Sequence, residues 1–523
     1  MYVELAPRKS LIFASRCLIS LAAGLFMPAT LAAQSAPPPS HDDIRWLQRA
    51  TFGVDSATLV RYEQLGRSRW LDEQLADRHD SLPLAIRNLI NSYPAISTPA
   101  AELVASAIQA RQRLKSMPDG DAKVAARKAL QKQGRELARQ AQQAELLHAI
   151  YGSNQLKEQM VWFWLNHFSV YAAKGGVRLV ATDYEENVIR PHALGKFRDL
   201  LMATLKSPAM LQFLDNVKNV KGKTNENYAR ELMELHTLGV GAGYTQQDVQ
   251  QLALILTGAG IAPRGGQQQG RFGRMHPGFV RDGLFVFNPN KHDFSDKTFL
   301  DQPVRGSGYD EIEQAVDLIT RQPYCAQFIS RQLAEYFVAD RPPPALVAAM
   351  AQTFQHTDGD IAAVLRTMFD SPALLASAGR KFKDPTQYMV SAMRLAYDGQ
   401  PISNAAPLIN WLSQMGEPVF GRITPDGWPL DAASWSGSGQ MAARFVMARA
   451  IGSGRNRLFM PDADDKGSRA PMQAGEVPKL DSPLYRTTIK PYLSQATRTA
   501  LDKATTAQEW NTYLLSSPDF NYR

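Results

Sequence analysis

The sequence has few cysteines for its length. Only two occur in 523 residues, Cys17 and Cys325. Because Cys17 lies in a segment that we expect to be removed on export, Cys325 would have no partner, and an internal disulfide is excluded. Cys325 lies within a segment that has a helical pattern of apolar residues. We therefore expect it to be a small buried hydrophobic residue rather than a nucleophile.

Several catalytic signatures are also missing. The chain has no Gly-x-Ser-x-Gly elbow, no phosphate-binding loop of the Gly-x-x-x-x-Gly-Lys-Ser/Thr type and no Cys-x-x-Cys pair. The glycine-rich residues 239–243 follow a predicted helix rather than a strand. This order favours a helix stop and a turn over a dinucleotide-binding fingerprint.

Neither sign of charge dominates the chain. The net charge is +8, and residues 1–33 carry three basic and one acidic side chain, which leaves +6 after their removal. This mild excess fits a protein near anionic envelope surfaces, and it argues against a nucleic-acid partner.

The basic helix predicted after residue 120 has two interpretations. It is either a patch for anionic polymers or a solvated helix face, and the lack of interleaved aromatic residues favours the latter.

The only long hydrophobic run lies near the start of the chain. Basic residues precede an apolar stretch at 17–31, and small residues at 32–33 offer a cleavage site. We therefore predict a Sec-type signal peptide at 1–33 and a periplasmic or secreted location; the alternative is an amphipathic or disordered leader. The run is short and interrupted, and no cysteine follows it, so we expect no stable membrane anchor after cleavage.

The remaining sequence predicts a mainly α fold, a multi-helix globular array. A long helical hairpin is expected near 99–150, broken at the Met-Pro-Asp-Gly of 117–120. A small β-hairpin is expected near 279–287, around an Asp-Gly pair. We assign residues 40–523 to one large helical domain, either undivided or formed by two packed subdomains.

Residues 225–239 carry the strongest functional signal. They read NENYARELMELHTLG, with apolar residues at helical spacing. On a helical projection, Glu231 and His236 fall among apolar side chains. Arg230 and Glu234 face outward, where they can form a surface pair. We therefore expect Glu231 and His236 to be buried or half-buried, a position that is costly unless the group is paired or functional.

Two interpretations of these side chains stay open. In one, Glu231 and His236 are satisfied polar groups that tie core helices together. In the other, Glu231 is a catalytic acid or base, or part of a metal site completed by distant segments. This helix has neither the His-x-x-x-His nor the Glu-x-x-His spacing. It therefore assigns no metal and no cofactor.

An aromatic run at 162–168 ends in two polar residues, Asn166 and His167. The run itself is typical of a core helix. Asn166 could hydrogen-bond to Glu231 or bind a ligand. His167 is either a core histidine or a proton carrier and ligand, since imidazole suits both tasks.

Two loops supply further candidates. His292 and Asp293 follow the predicted hairpin, where they could form an imidazole–carboxylate pair; alternatively, Asp293 only caps the next turn. Trp428 and Trp435 lie in a loop rich in Pro, Asp and Gly. Either tryptophan could stack on a sugar ring, and Trp428 is the weak ligand-binding candidate, but both could equally anchor the loop in the core.

Taken together and in order, several motifs resemble one family. They are RATFG at 49–53, WLNHF at 164–168, NENYARELMEL at 225–235, YT at 244–245, DV at 248–249, LTG at 256–258, HD at 292–293 and the lysine at 297. The bacterial secreted family that they resemble is catalogued as domain-of-unknown-function family 1800. Its members are commonly exported and often encoded beside a secreted protein similar to sulfatases and alkaline phosphatases. The resemblance implies a partner or shared pathway of that kind, and it brings no established reaction.

Two functional hypotheses follow. The first is an exported envelope hydrolase that acts on a polymer or sugar conjugate, with Glu231 as acid or base, His167 and His292 as proton carriers or ligands, and Asp293 as an orienting group. The second is a non-catalytic scaffold or maturation partner for a secreted sulfatase- or phosphatase-like companion. Convergence of Glu231, His167 and His292 on an open cleft would favour the enzyme.

Overall fold

A computed structural model describes residues 39–77, 81–262, 277–460 and 476–523. Within these ranges the chain forms 24 α-helices and five short strands, which confirms the mainly α fold. The predicted signal peptide at 1–33 lies outside the described residues, and so does most of the loop predicted at 262–278. Among the described helices, none combines the length and the apolar character that a membrane span requires.

The first four helices are α1 (His41–Ala50), α2 (Ser56–Leu75), α3 (Leu84–Asn91) and α4 (Pro94–Ser97). A capping box starts α1, because the Ser40 hydroxyl accepts a hydrogen bond from the Asp43 N–H while the Asp43 carboxylate accepts one from the Ser40 N–H. The backbone of α2 turns at Gly66, whose φ is 72°. The two halves of α2 therefore lie in different directions.

The predicted long helical hairpin is present. It consists of α5 (Ala100–Ser116) and α6 (Asp121–Tyr151), and the chain reverses between them at 117–120 as predicted. The basic first half of α6 is largely exposed, as expected of a solvated helix face, and its second half is buried. The buried half brings Glu145 and His148 into the interior.

The middle of the chain forms shorter helices around one buried helix. These are α7 (Gln155–His167), α8 (Ala181–Asp183), a π-helix at Tyr184–Ile189, α9 (Phe197–Lys206), α10 (Pro208–Phe213), α11 (Asn227–Glu234) and α12 (Gln246–Ile255). Helix α7 is buried on nearly every face, and its Trp164 ring packs against Phe168 and Phe197. This packing fixes the position of the two polar residues at its carboxyl end.

Helix α11 is shorter than the helix predicted at 225–239. It ends at Glu234, and the chain continues in a wider turn in which the His236 N–H donates to the Glu231 carbonyl at 3.1 Å. The Thr237 hydroxyl donates to a carbonyl of the last helical turn at 2.6 Å, so a side chain replaces the next helical amide. The predicted burial is nevertheless confirmed, because His236 is buried and Glu231 is half-buried.

Two small antiparallel sheets follow α12. They contain β1 (Ala259–Ile261), β2 (Val280–Asp282) and β3 (Phe285–Phe287) in one sheet, and β4 (Lys297–Phe299) with β5 (Gln302–Val304) in the other. Strands β2 and β3 form the hairpin predicted near 279–287, with Gly283 at φ 54° in its turn. The structure adds β1 on the other side of β3.

The β4–β5 hairpin was not predicted. Its turn consists of Leu300 and Asp301, which have φ values of 50° and 61°. Two successive residues with positive φ are typical of a type I′ turn, whose usual sequence signal is Asn-Gly or Asp-Gly. Because leucine rarely adopts this conformation, the sequence carried no local signal for the turn.

The described residues after β5 are mainly helical. They comprise α13 (Tyr309–Thr320), α14 (Pro323–Phe337), α15 (Pro344–His356), α16 (Ile361–Phe369), α17 (Pro372–Ala376), α18 (Pro385–Tyr397), α19 (Ala406–Gln414), α20 (Ala432–Trp435), α21 (Ser438–Gly452), α22 (Pro483–Thr488), α23 (Gln495–Asp502) and α24 (Ala507–Ser516). Buried hydrophobic side chains from the start to the end of the described chain form one cluster. The assignment of 40–523 to one domain, with or without subdomains, stays a prediction.

Candidate functional site

A polar cleft lies where α7, α14, the turn after α11 and the loop 421–430 meet. It contains about 1270 Å³ of empty space, part of it open to solvent. Its walls include the predicted residues Asn166, His167 and Trp428. The other lining residues come from 234–242, from α14 and from the loop: Glu234, Leu235, Leu238, Gly239, Val240, Gly241, Ala242, Tyr324, Gln327, Phe328, Arg331, Gln332, Asp426 and Leu430, together with Phe163.

Asn166 holds the loop in place rather than reaching Glu231. Its side-chain oxygen accepts a hydrogen bond from the Trp428 N–H at 2.6 Å, and its amide nitrogen donates to the Trp428 carbonyl at 3.0 Å. The preceding residue, Gly427, has φ 70°, and a Cβ there would lie 2.3 Å from the Asn166 carbonyl oxygen. The close approach of loop and helix therefore requires glycine at this position.

His167 connects α7 to the turn after α11. Its Nε2 lies 2.9 Å from the His236 carbonyl oxygen, and since an oxygen can only accept, Nε2 is the protonated nitrogen. Burial lowers the pKa of His167 to about 4, although the hydrogen bond opposes the shift. Burial also lowers the pKa of His236 well below its usual range, and His167 adds to this shift. Both imidazoles are therefore neutral at neutral pH.

Three carboxyl groups interact at the edge of the cleft. Burial raises the pKa of Glu231, and the negative charges of Glu234 and Asp426 raise it further against the opposing effect of Arg230. Glu234 lines the cleft and forms the predicted outward pair with Arg230, at 3.4 Å. Glu231 is not a lining residue, but it lies near enough to feel the charge of Asp426, which is one.

Asp426 has the opposite electrostatic character. Burial alone would raise its pKa, but hydrogen bonds from Arg422 and Thr424 outweigh burial and lower it. The Arg422 guanidinium forms an ion pair with the Asp426 carboxylate at 2.7 Å. Glu231 is thus easier to protonate than an ordinary glutamate, whereas Asp426, whose charge acts on it, is harder to protonate than an ordinary aspartate.

The two candidate tryptophans have different environments. Trp435 is buried and donates its indole N–H to the Pro429 carbonyl at 2.8 Å, so it anchors the loop. Trp428 is only half-buried and lines the cleft. The Arg422 guanidinium lies 5.2 Å from the centre of the Trp428 ring. This cation–π contact orients the indole.

The structure does not bring His292 to this cleft. His292 is buried, with Nδ1 2.8 Å from the Thr257 carbonyl oxygen and Nε2 2.9 Å from the Glu311 carboxylate. The other oxygen of Glu311 lies 2.6 Å from the Lys297 ammonium. The motif residues Thr257, His292 and Lys297 thus meet with Glu311 in a closed ionic cluster. The convergence of Glu231, His167 and His292 is therefore not observed.

Asp293 lies beside that cluster but makes a local turn. Its carboxylate accepts hydrogen bonds from the Ser295 N–H at 2.9 Å and from the Ser295 hydroxyl at 2.5 Å. These bonds lower the pKa of Asp293. The geometry matches the capping alternative, and it does not pair Asp293 with the imidazole of His292.

Sequence reasoning missed a second buried ionic network. Arg190 donates to both carboxylate oxygens of Glu158, at 2.7 and 2.8 Å, and to Glu185 at 3.0 Å and Glu145 at 3.3 Å. Burial raises the pKa of Glu185 well above its usual range, and Glu145 raises it further. One sequence signal could have indicated this network: Glu145 and His148 have the Glu-x-x-His spacing. They belong to a helix whose other residues indicate a basic, solvent-exposed face.

We assign no metal site in the described part of the chain. Within the residues that the structure describes, no group of three or more His, Cys, Asp or Glu side chains is placed to hold a metal ion. In the network just described, the Arg190 guanidinium lies where the carboxylates converge.

Cys325 is buried, and burial raises the pKa of its thiol, as expected of a structural cysteine.

Comparison with known proteins gives one match. No curated protein and no solved structure matches the chain at a significant level. The family described as "Protein of unknown function (DUF1800)" matches residues 45–522, which is nearly the whole chain. The matched range includes the ionic cluster of His292 and Glu311, the network around Arg190 and every residue that lines the cleft. The chain therefore belongs to the DUF1800 family.

Proposed function

We propose that the protein is a hydrolase of the cell envelope that cleaves a polymer or sugar conjugate at the edge of the polar cleft, where Glu231 lies, with Glu231 as the proton donor. The observation that carries this proposal is the pair Glu231 and Asp426, whose surroundings move their pKa values in opposite directions. Paired carboxyl groups with separated pKa values are the usual means of dividing acid and base roles in glycoside hydrolysis.

Glu231 has the properties of an acid rather than of a structural tie. Among the described residues, none donates a hydrogen bond to its carboxyl group, although Glu231 is half-buried. A core tie would be expected to have such partners. A half-buried carboxyl group with a raised pKa keeps its proton closer to neutral pH and can transfer it to a leaving oxygen.

Asp426 is the ionised carboxylate of the pair. Its ion pair with Arg422 keeps it ionised. It can therefore activate a water molecule or attack the anomeric carbon on the face opposite the leaving oxygen, which Glu231 protonates as the glycosidic bond breaks. His167 is less suited to proton transfer, because its pKa of about 4 leaves it neutral at neutral pH. We assign His167 to holding the turn after α11, which positions Glu231 and Glu234.

The lining of the cleft suits a polar, ring-containing polymer. Aromatic side chains, Trp428, Tyr324 and Phe328, offer ring faces and edges. Gln327 and Gln332 add amide groups that donate and accept hydrogen bonds. Convergent aromatic and amide groups in an open cleft are what recognition of a chain of sugar units requires.

The alternative proposal is a scaffold for a secreted sulfatase- or phosphatase-like companion. It is favoured by the placement of His292, which belongs to a closed structural cluster rather than to the cleft. The scaffold requires no turnover and predicts that the cleft carboxylates can be replaced without loss of function.

The test compares Glu231→Gln with Glu313→Gln, a matched change of an exposed glutamate on α13. Release of reducing ends from soluble envelope polysaccharides and of fluorophore from fluorogenic glycosides would be measured. We expect Glu231→Gln to lower turnover by about a hundredfold or more, as for loss of a general acid. Urea unfolding should show little change, because no hydrogen bond is lost.

Three results would contradict the proposal. Equal turnover in both variants would exclude Glu231 as the acid. A loss of stability of about 1–3 kcal/mol in Glu231→Gln would identify it as a structural tie instead. If the wild-type protein releases no product from any of these substrates, the scaffold proposal stands in its place.

A further inference from the structure

A second cavity shares no lining residue with the polar cleft. It contains about 610 Å³ of empty space, much of it open to solvent. Its apolar walls come from segments far apart in the chain: Phe52, Val54, Leu395, Ile489, Leu493 and Phe520. The polar lining includes the Asp519 carboxylate, which accepts hydrogen bonds from the Ser494 N–H and the Ser494 hydroxyl, both at 2.8 Å. Tyr522, which also lines it, is 39% exposed, whereas Lys383, Ser391 and Arg523 are buried. The cavity therefore leads from solvent to a buried polar end.

Lys383 is an ammonium group without a counter-ion. Its Nζ donates one hydrogen bond, to the Ser391 hydroxyl at 3.0 Å, and lies 4.0 Å from the centre of the Phe520 ring. In the described part of the chain, no carboxylate forms an ion pair with it. Burial, with Arg523 and Arg444 nearby, lowers the pKa of Lys383 to about 7. Lys383 is therefore only partly charged at neutral pH. Its charged form is costly without a paired carboxylate, and two N–H groups of that form remain unused.

Arg523 supplies a second unused donor in the same cavity. Its two terminal nitrogens donate to the Gln159 side chain at 2.8 Å and to the Tyr336 carbonyl at 2.7 Å. Its Nε is buried and has no hydrogen-bond partner among the described residues. Two cations from separate segments therefore line one cavity, and each retains donors that no described group satisfies.

We propose that this cavity binds a monocarboxylate with an apolar tail, with its carboxylate on Lys383 and Arg523 and its tail along the apolar walls. A carboxylate would accept from Lys383 Nζ and from Arg523 Nε, whereas the Ser391 hydroxyl already donates to the Tyr388 carbonyl at 2.9 Å. The ligand would also supply Lys383 with the counter-ion that no described carboxylate provides. Charge-assisted bonds of this type are stronger than neutral ones and favour a carboxylate over an alcohol of the same length.

The apolar walls distinguish this ligand from a small inorganic anion. Six hydrophobic side chains line the cavity, and their burial by a tail favours binding in proportion to the apolar area removed from water. Affinity should therefore increase from octanoate to dodecanoate. Inorganic phosphate has no tail and should bind far more weakly than either.

The test is calorimetric titration of the purified full chain with octanoate, dodecanoate, 1-dodecanol and inorganic phosphate. We expect dodecanoate to bind at one site, and the alcohol to bind at least about tenfold more weakly. Lys383→Met should weaken dodecanoate binding by about tenfold or more. The affinity for 1-dodecanol should stay the same in this variant. The matched change of an exposed lysine, Lys479→Met, should leave both affinities unchanged.

Further variants keep the test decisive. Ser391→Ala removes one hydrogen bond but both cations remain, so its effect should be smaller than that of Lys383→Met. If circular dichroism shows that Lys383→Met does not fold, Arg523→Gln replaces it with the same expectation. Equal binding of carboxylate and alcohol, unchanged carboxylate binding after loss of either cation, or no binding of dodecanoate would each overturn the proposal.

Discussion

Asn166 and Trp428 are joined by two hydrogen bonds that run in opposite directions. The Asn166 side chain accepts from the Trp428 N–H at 2.6 Å and donates to the Trp428 carbonyl at 3.0 Å. A side-chain amide thereby pairs with a main-chain residue as a neighbouring strand would. This pairing attaches the loop that carries Asp426 to the end of α7, and it sets one wall of the cleft.

Gly427→Ala should detach this loop. A Cβ at Gly427 would lie 2.3 Å from the Asn166 carbonyl oxygen, and φ is 70°. Gly399 is the matched control, since its φ is 82° but a Cβ there would meet nothing within 4 Å. Both changes strain the backbone by about 1 kcal/mol. Only Gly427→Ala adds the steric conflict, so we expect it to lower the free energy of unfolding in urea by a further ~1–3 kcal/mol. Equal losses in the two variants would contradict this account of the loop.

Helices with strong end signals could be predicted from the sequence. Thr245 and Asp248 form the capping box that starts α12, and Ser207 caps α10 with proline as its first residue. Such signals are local, because they depend on side chains and amides three residues apart or closer. The end of α11 was less predictable, since the Thr237 hydroxyl competes with the backbone for a carbonyl.

The polar clusters were harder to predict, because their members are distant in sequence. Asn166 and Trp428 were separate candidates, and nothing local indicates that they pair across 262 residues. Glu311 was not a candidate, although it is the partner of His292. A glutamate near a helix start reads as an ordinary surface residue, and only tertiary packing buries it.

Glu311→Gln should remove part of the acid sensitivity of the protein. Burial alone would raise the pKa of Glu311, but hydrogen bonds from His292, Lys297 and the Gly308 N–H hold it below its usual value of 4.5. The folded protein therefore binds fewer protons here than the unfolded chain does in acid. The stabilisation is complete above about pH 4.5 and is lost as the pH falls through the lowered pKa.

Urea unfolding between pH 7 and pH 3 measures this effect. At pH 7 we expect Glu311→Gln to lower the free energy of unfolding by ~3–5 kcal/mol, because Lys297 loses its buried partner. The variant should then decline less steeply than the wild type below pH 4.5. Glu313→Gln, an exposed change on the same helix, should leave the wild-type slope intact. A parallel decline in Glu311→Gln would show that Glu311 does not titrate as we infer.

Arg190→Met should be strongly destabilising at neutral pH. The guanidinium is the positive centre for Glu158, Glu185 and Glu145, all of which are buried. Removal of one partner from a buried ionic network leaves uncompensated charge, which costs ~3–5 kcal/mol. Methionine keeps much of the volume of the side chain, so lost packing contributes little.

The pH dependence separates lost charge from lost packing. Without Arg190, the pKa values of the buried carboxyl groups should rise, so the folded variant takes up protons that the unfolded chain does not hold. A raised folded-state pKa gives stability that is present at low pH and lost as the pH rises. The deficit of Arg190→Met should therefore shrink as the pH falls from 7 to 5. Arg61→Met, which breaks the surface pair with Glu73 and a hydrogen bond to Gln64, should cost less than ~1 kcal/mol at either pH. A deficit in Arg190→Met that is the same at both pH values would attribute its loss to packing and not to the buried charges.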